Sequence, residues 1–118
     1  MTAGGPNTNT FRTTHATFVV CDYAQAVEVE VRGEYDLSCT DASKLVLELV
    51  GELIGDKPRP VIVDLAAVSF FDAAGIKFLL RIARIAQLAD TSARVRDPNP
   101  DVRRLLELLG LGMMVDGT

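Results

Sequence analysis

Residues 61–80 read VIVDLAAVSFFDAAGIKFLL, two apolar runs separated by the short polar and small-residue stretch DAAG. The first run is rich in β-branched residues and does not alternate with polar ones, which indicates a strand covered on both faces, as in the centre of a parallel sheet. The second run has its apolar residues at helical spacing. The stretch therefore predicts a central strand that leads directly into a helix, and this unit decides the fold class.

Two short β-rich segments lie upstream, at residues 16–23 and 26–33. Their close spacing predicts a hairpin, and the second alternates between valines and charged residues, which is typical of a half-solvated strand. Residues 1–12 are rich in Gly, Thr and Asn and are predicted to be a disordered leader. The folded domain is then expected to span residues 13–118.

Three segments carry the apolar spacing of helices, and each has a start or stop signal. The first follows Ser38, which is predicted to begin a capping box, and Gly55 is predicted to end this helix. The second begins after Asp72, which is a good N-cap because its carboxylate can accept a bond from a first-turn N–H. The third begins with Asn-Pro at residues 99–100.

A short candidate strand at residues 92–97 separates the last two helices, and residues 113–115 leave room for another. The order β-β-α-β-α-β-α predicts a single α/β domain with a mixed sheet of four or five strands and three or more helices. Crossovers between consecutive parallel strands are right-handed, so both β-α-β pairings are expected to be parallel.

Composition excludes several classes of function. A chain of 118 residues with 48% apolar residues is large enough for one hydrophobic core. Its net charge of −4 argues against direct nucleic-acid binding, because phosphate contacts demand a basic surface. No segment reaches the ~20 apolar residues that span a bilayer, and the N-terminus lacks the apolar core of a signal peptide. We therefore expect a cytoplasmic protein that does not contact membranes.

The residues give little support for catalysis, a metal or a cofactor. There is no glycine motif for phosphate or dinucleotide binding and no nucleophile elbow. His15 is the sole histidine and has no Cys or acid at ligand spacing. Cys21 and Cys39 are expected to be reduced thiols; the alternative, a redox-sensing disulfide, requires Cα atoms within ~7 Å. A non-enzymatic domain without a cofactor is the expected class.

The DAAG loop at residues 72–75 is the strongest candidate for a functional site, since sites in α/β sheets form where strands end. Gly75 lies inside the first helical turn, where it costs about 1 kcal/mol relative to Ala. That cost indicates either tight internal packing or close approach by a partner. The helix then carries a basic stripe made of Lys77, Arg81 and Arg84. This stripe is either an ordinary solvated face or a docking face for an acidic partner.

Three motifs in this order resemble one family: GEYD at residues 33–36, VIVDLAAVSFFDAAGIKFL at 61–79, and NPDVRRLLELLGL at 99–111. Together they resemble the STAS domain of bacterial anti-sigma-factor antagonists, over about residues 27–111. The resemblance implies a small α/β domain that binds an anti-sigma factor with a serine-kinase fold. Binding would free a sigma factor for transcription.

The resemblance also implies roles for individual positions. In such domains the helix start usually reads Asp-Ser-Ser-Gly, and the kinase phosphorylates the first Ser to break the complex. Residues 72–75 match this motif, so Ala73 stands at the phospho-acceptor position and has no hydroxyl. Asp36 matches the Asp that ends the family's Gly-Glu-x-Asp contact loop, although a solvent-exposed turn residue is the alternative.

The predicted partner-binding residues are Asp36, Asp72, Ala73, Ala74, Gly75 and Lys77. Asp72 would cap and position the helix, the small residues would permit close approach, and Lys77 would meet acidic groups on the partner. Two other functions remain open at this point. One is a non-phosphorylatable STAS-like scaffold or decoy that assembles with related domains or as a homo-oligomer and no longer engages a kinase. The other is a small-ligand sensor with a pocket formed by the loops after the strands.

Overall fold

The computed structural model describes residues 7–115 of the chain. Five strands form one sheet, and their spatial order is their order along the chain. The strands are β1 (Asn7–Arg12), β2 (Ala16–Asp22), β3 (Val27–Tyr35), β4 (Val61–Phe71) and β5 (Ala93–Arg96). The α-helices are α1 (Thr40–Asp56), α2 (Ala73–Leu88) and α3 (Pro100–Leu108), with 3-10 turns at Leu37–Cys39 and Gly112–Met114.

The sheet is mixed. Strands β1, β2 and β3 form an antiparallel meander, whereas β3 pairs with β4, and β4 with β5, in parallel. The two parallel pairings are connected through α1 and α2, as β-α-β units require. The predicted mixed sheet packed with three helices is therefore confirmed.

The predicted disordered leader is wrong for residues 7–12, which form β1, while residues 1–6 lie outside the described residues. β1 pairs with β2 from Asn7 opposite Asp22 to Arg12 opposite Thr17. Among its side chains, only that of Phe11 packs against the core. A polar edge strand lacks the alternation that marks a half-buried strand, so its backbone pairing with β2 leaves no sequence signal.

The hydrophobic core lies between one face of the sheet and helices α1 and α2, which also pack against each other. Side chains from the sheet and from both helices are completely buried there, including those of Val29, Val63, Val50, Leu79 and Ile82. Over residues 27–31 of β3 and 61–65 of β4 the buried positions alternate with half-buried ones. One face of the central sheet is therefore sealed by the two helices.

The predicted cover on both faces of the central strand is wrong. On the second face of β4, Ile62 and Asp64 are only half-buried. Arg96 occupies this face as well, with its Nη2 at 2.7 Å from Glu28 Oε1 and 3.2 Å from Asp64 Oδ2. On this face, charged side chains that pair across neighbouring strands stand where the prediction had placed a covering layer. The apolar run of β4 alone gave no sign of this pairing.

The start and end of α1 also differ from the prediction. Ser38 does not begin a capping box; instead its backbone N–H donates to Asp36, which caps the preceding 3-10 turn. The residue before α1 is Cys39, which makes no side-chain cap. Gly55 lies inside α1 rather than after it, because the helix continues to Asp56. The predicted N-caps of α2 and α3 are present.

Both cysteines are free thiols. Cys39 is fully buried at the start of α1. Cys21 is half-buried on β2, where burial, followed by the nearby charge of Glu28, raises the pKa of its thiol. A raised pKa leaves less of the thiolate that disulfide exchange needs.

Within the described range, no helix has both the length and the apolar character to cross a bilayer.

Candidate functional site

The two loops that carry the predicted site residues lie side by side. Strands β3 and β4 end together, with Tyr35 opposite Phe71. The backbone N–H of Asp72 donates to the carbonyl of Tyr35 at 3.4 Å. Parallel pairing to the last residue thus places the Asp36 loop next to the start of α2.

Asp72 is the N-cap of α2. Its Oδ1 accepts the backbone N–H of Ala74 at 2.9 Å and of Gly75 at 3.4 Å. These bonds satisfy two of the donors that a helix start leaves unpaired. Ala73 is exposed and Ala74 is half-buried at the first turn. The helix start therefore presents a short stretch of methyl groups to solvent beside a fixed carboxylate.

Gly75 faces the interior of the protein. It is buried, and a Cβ added to it would lie 2.6 Å from two ring carbons of Phe71. The glycine is therefore explained by internal packing between α2 and the end of β4, the first of the two alternatives that its sequence position raised. Its predicted role at a partner interface stays a prediction.

Asp36 is held by contacts on both carboxylate oxygens. Its Oδ1 accepts the backbone N–H of Ser38 at 2.9 Å and also the hydroxyl of Ser38, and its Oδ2 lies 2.7 Å from Nδ1 of His15. The Ser38 hydroxyl bond, followed by the His15 contact, lowers the pKa of Asp36. This carboxylate is a positioned group rather than a freely rotating turn residue.

Sequence reasoning missed the contact between His15 and Asp36, because the two residues are 21 positions apart. The β1–β2 turn reaches the Asp36 loop through Gly33, which has a φ of +93°. A side chain at Gly33 would collide with the carbonyl oxygen of His15. That same carbonyl accepts the backbone N–H of Glu34 at 2.9 Å. The glycine of the GEYD motif thus permits the close approach that brings His15 to Asp36.

We expect Asp36→Asn to destabilise the protein at neutral pH and to lose this effect in acid. Because the folded-state pKa of Asp36 is lowered, its ionised form stabilises the fold above the ordinary value of 3.8. That contribution is lost as the pH falls through the lower folded-state pKa. Chemical unfolding of the wild type and of Asp36→Asn, from neutral pH to below pH 3.8, measures the difference in their free energies of unfolding. Asp56→Asn, which removes an exposed carboxylate at the end of α1, is the control. Its difference in stability from the wild type should not shrink in acid in the same way.

A cleft of about 370 Å³ opens between α1 and the start of α2. Asp72, Ala73, Ala74 and Lys77 line it from α2, so four of the predicted site residues share one surface. Asp36 lies one residue from the cleft wall and Gly75 lies behind it. Only two of the three residues of the predicted basic stripe line the cleft, Lys77 and Arg81. The third, Arg84, contacts Gln87 instead, with Nη1 at 3.5 Å from Oε1.

Tyr35 forms part of the cleft lining, although its side chain is almost completely buried. Burial raises the pKa of its phenol to about 12, while a hydrogen bond with Ser43 acts in the opposite direction. Its ring packs against Phe18 and Phe71 with centroid distances of 5.6 and 5.4 Å. Tyr35 is therefore a neutral, rigid element that fixes the cleft rather than a group that titrates at physiological pH.

A second groove, of about 420 Å³, lies between the end of β4 and α3. Asn99 joins these elements, since its Oδ1 caps α3 and its Nδ2 donates to the carbonyl of Val68 at 3.1 Å. Phe70 and Leu108 line the groove and are well exposed. Neither was singled out from sequence, because both fall within apolar runs typical of core residues.

Residues 7–115 contain no group of three or more His, Cys, Asp or Glu side chains placed to bind a metal ion.

The chain is similar to known proteins of one family. Residues 22–116 match the family model of the STAS domain. The chain is also 30% identical over 96 residues to the anti-sigma-F factor antagonist RsfB of Mycobacterium tuberculosis, in strains CDC 1551 / Oshkosh and ATCC 25618 / H37Rv. That alignment covers 80% of this chain and 75% of the relative.

Solved structures have the same fold. A crystal structure of an anti-sigma factor antagonist from Mycobacterium paratuberculosis matches with a TM-score of 0.69 and 28% identity, over 87% of this chain and 86% of that one. The anti-sigma factor antagonist SpoIIAA in its unphosphorylated form matches with a TM-score of 0.66, over 92% of this chain and 85% of its own. Since its identity is 19%, this second likeness supports the fold alone.

Proposed function

Because this chain belongs to the STAS domain family, we propose that it is an anti-sigma-factor antagonist, a non-enzymatic binding domain of the cytoplasm. It would bind an anti-sigma factor with a serine-kinase fold and so release a sigma factor. The observation that carries the proposal is the junction of the Asp36 loop with the start of α2. The two motif loops meet there, in a chain that is 30% identical to an anti-sigma-F factor antagonist.

The proposed contact centre is the start of α2 and the Asp36 loop. Asp72 would hold the helix start in place, and Ala73 and Ala74 would let the partner's backbone approach closely. Lys77 would meet acidic groups of the partner, and Asp36 would supply a second contact. Support comes from the exposure of Ala73 and Lys77 and from the hydrogen bonds that fix both carboxylates.

We further propose that the usual phosphorylation switch is missing, because Ala73 stands at the acceptor position. A phosphate at this point would add about −1.5 to −2 charges at a helix N-terminus, where the dipole tolerates an anion. It would therefore disrupt an interface without unfolding the helix. With alanine there, the chain would remain competent to bind, and control would act elsewhere, for example on its expression.

We expect the purified chain to bind its anti-sigma factor and Ala73→Arg to weaken that binding at least about tenfold, since a long cation on an exposed methyl position would hold the partner off. Titration calorimetry measures the affinity, and thermal unfolding checks the fold. Ala24→Arg makes the same change in the exposed β2–β3 turn, at the opposite end of β3, and should bind like the wild type.

Equal affinity for Ala73→Arg and Ala24→Arg would remove the start of α2 from the interface. If the chain binds no anti-sigma factor and instead associates with itself or with other STAS domains, the scaffold alternative replaces the proposal. Analytical ultracentrifugation of the chain alone and in mixtures distinguishes these outcomes.

A further inference from the structure

Two cations in the α1–α2 cleft have no partner in the part of the chain that the structure describes. Lys77 and Arg81 lie one turn apart on α2, are both exposed, and form neither an ion pair nor a hydrogen bond within residues 7–115. By contrast, Arg59 and Arg96 are paired with carboxylates. These two residues therefore place two positive charges on one wall of the cleft, on a chain whose net charge is −4.

The hydroxyl groups of the cleft are already satisfied. Thr40 Oγ1 donates to the carbonyl of Leu37 at 2.8 Å, and Ser43 Oγ donates to the carbonyl of Thr40 at 2.9 Å. Tyr35 shares a hydrogen bond with Ser43. The polar groups that remain for an occupant are thus mainly the two cations, which select an anionic group.

The cleft also has apolar walls. Leu37 lies at its rim with 77% of its surface exposed, and Leu47 and Phe78 line it from α1 and α2. These side chains place apolar surface beside the charged groups of the cleft. The cleft therefore suits an occupant that carries an apolar group next to its anionic one.

The charge count favours a single carboxylate over a phosphate. Asp72 lines the same cleft, so its carboxylate opposes the two cations and leaves an excess of one positive charge. A phosphate monoester carries about −1.5 to −2 charges at neutral pH and would leave the cleft net negative. The volume of about 370 Å³ is near the lower end of the range of about 300–1,000 Å³ for small-molecule pockets, so the cleft has room for one or two side chains of a partner.

We propose that the α1–α2 cleft receives an acidic segment of the protein partner, with a Glu or Asp side chain between Lys77 and Arg81 and a neighbouring apolar side chain against Leu37. The inference rests on the proposed function in taking this partner to be the anti-sigma factor. Continuity supports it, because Ala73 and the two cations line one surface. A partner seated on the helix start therefore covers the mouth of the cleft.

The first test reverses both charges, in a Lys77→Glu, Arg81→Glu double variant. We expect its affinity for the anti-sigma factor to fall at least about 100-fold and its salt dependence to flatten or reverse, because a steering attraction has become a repulsion that salt screens. The control is Arg103→Glu, Arg104→Glu, the same reversal on α3, which should keep most of the affinity and the salt slope. Wild-type affinity and slope in the α2 double variant, with Ala73→Arg still impaired, would overturn the inference and leave the proposed function standing.

The second test does not need the partner. An acetylated Leu-Glu-Leu-Glu peptide is titrated into the full chain, and amide shifts of α1 and α2 are followed by NMR. We expect shifts at the cleft that are lost in the α2 double variant and are absent with Leu-Gln-Leu-Gln. Shifts with inorganic phosphate and none with the acidic peptide would contradict the inference. Peptide shifts in a chain that binds no anti-sigma factor would support the cleft and reject the proposed function.

Discussion

Replacing Gly75 by alanine is expected to destabilise the fold by up to about 2 kcal/mol, which is the usual cost of about 1–3 kcal/mol for forcing an extra methyl group into a packed core less the helix gain of about 1 kcal/mol from alanine. A Cβ at this position would lie 2.6 Å from the ring of Phe71. That ring is 8% exposed and packs against Tyr35 at a centroid distance of 5.4 Å, so it has little room to move. The cost of the clash therefore exceeds the gain of about 1 kcal/mol that alanine brings to a helix.

Two matched variants test this explanation by chemical denaturation. Gly55→Ala makes the same change in α1, where an added Cβ meets nothing within 4 Å, and should stabilise the protein by about 0.4–1 kcal/mol. Gly75→Ala combined with Phe71→Leu should lose less stability than the sum of the two single variants, because the ring that causes the clash is gone. A Gly75→Ala protein as stable as Gly55→Ala would contradict the close packing.

This packing changes how the small residues of the DAAG loop are understood. Sequence alone left two explanations for Gly75, internal packing or close approach of a partner, and the buried contact with Phe71 supplies the first. Ala73 has no such internal explanation, since it is exposed at the helix start. Substitutions at Gly75 are therefore expected to change stability, and substitutions at Ala73 to test the proposed docking surface.

The parts of the fold that depend on local interactions were predictable. Strand β4 follows from a continuous run of β-branched residues and helix α2 from apolar residues at helical spacing. The caps Asp72 and Asn99 act on N–H groups two or three residues away. Such signals lie within a short window of sequence. The parallel order of β3, β4 and β5 follows in turn from the alternation of strands and helices.

The parts that depend on contacts between distant segments were not predictable. β1 is a strand only because β2 pairs with it. The hydrogen bonds of Asp36 include one to His15, which approaches from another turn of the chain. The cleft likewise needs α1 and α2 to pack at a particular distance, and no pattern within either helix encodes that distance. Only the three-dimensional arrangement shows that Lys77 and Arg81 line the cleft whereas Arg84 does not.

The unmodified chain is expected to acquire no phosphate at the start of α2 when it is incubated with MgATP and the proposed partner, an anti-sigma factor with a serine-kinase fold. Ala73 and Ala74 offer no oxygen, and the hydroxyls nearby are engaged: Ser38 donates to Asp36, Thr40 to the carbonyl of Leu37, and Ser69 to the carbonyl of Gly33. Intact-mass and peptide mass spectrometry measure the modification. Stoichiometric phosphate on Ser38, Thr40 or Ser69, together with lost binding, would show that the switch has moved rather than disappeared.

Ala73→Ser is expected to restore phosphorylation, up to one phosphate per chain, and then to lose most of its affinity for the partner. The new hydroxyl would lie at an exposed first-turn position beside the cap Asp72, so neither the helix nor the approach of a kinase needs to change. The phosphate would face the N-terminal end of the helix dipole, which stabilises it, while its charge opposes docking. The unfolding temperature of the phosphorylated variant should therefore be no lower than that of the unmodified one. A partner that binds Ala73→Ser tightly but leaves it unmodified would mean that the start of α2 is not presented to the kinase, and the proposed contact centre would have to move.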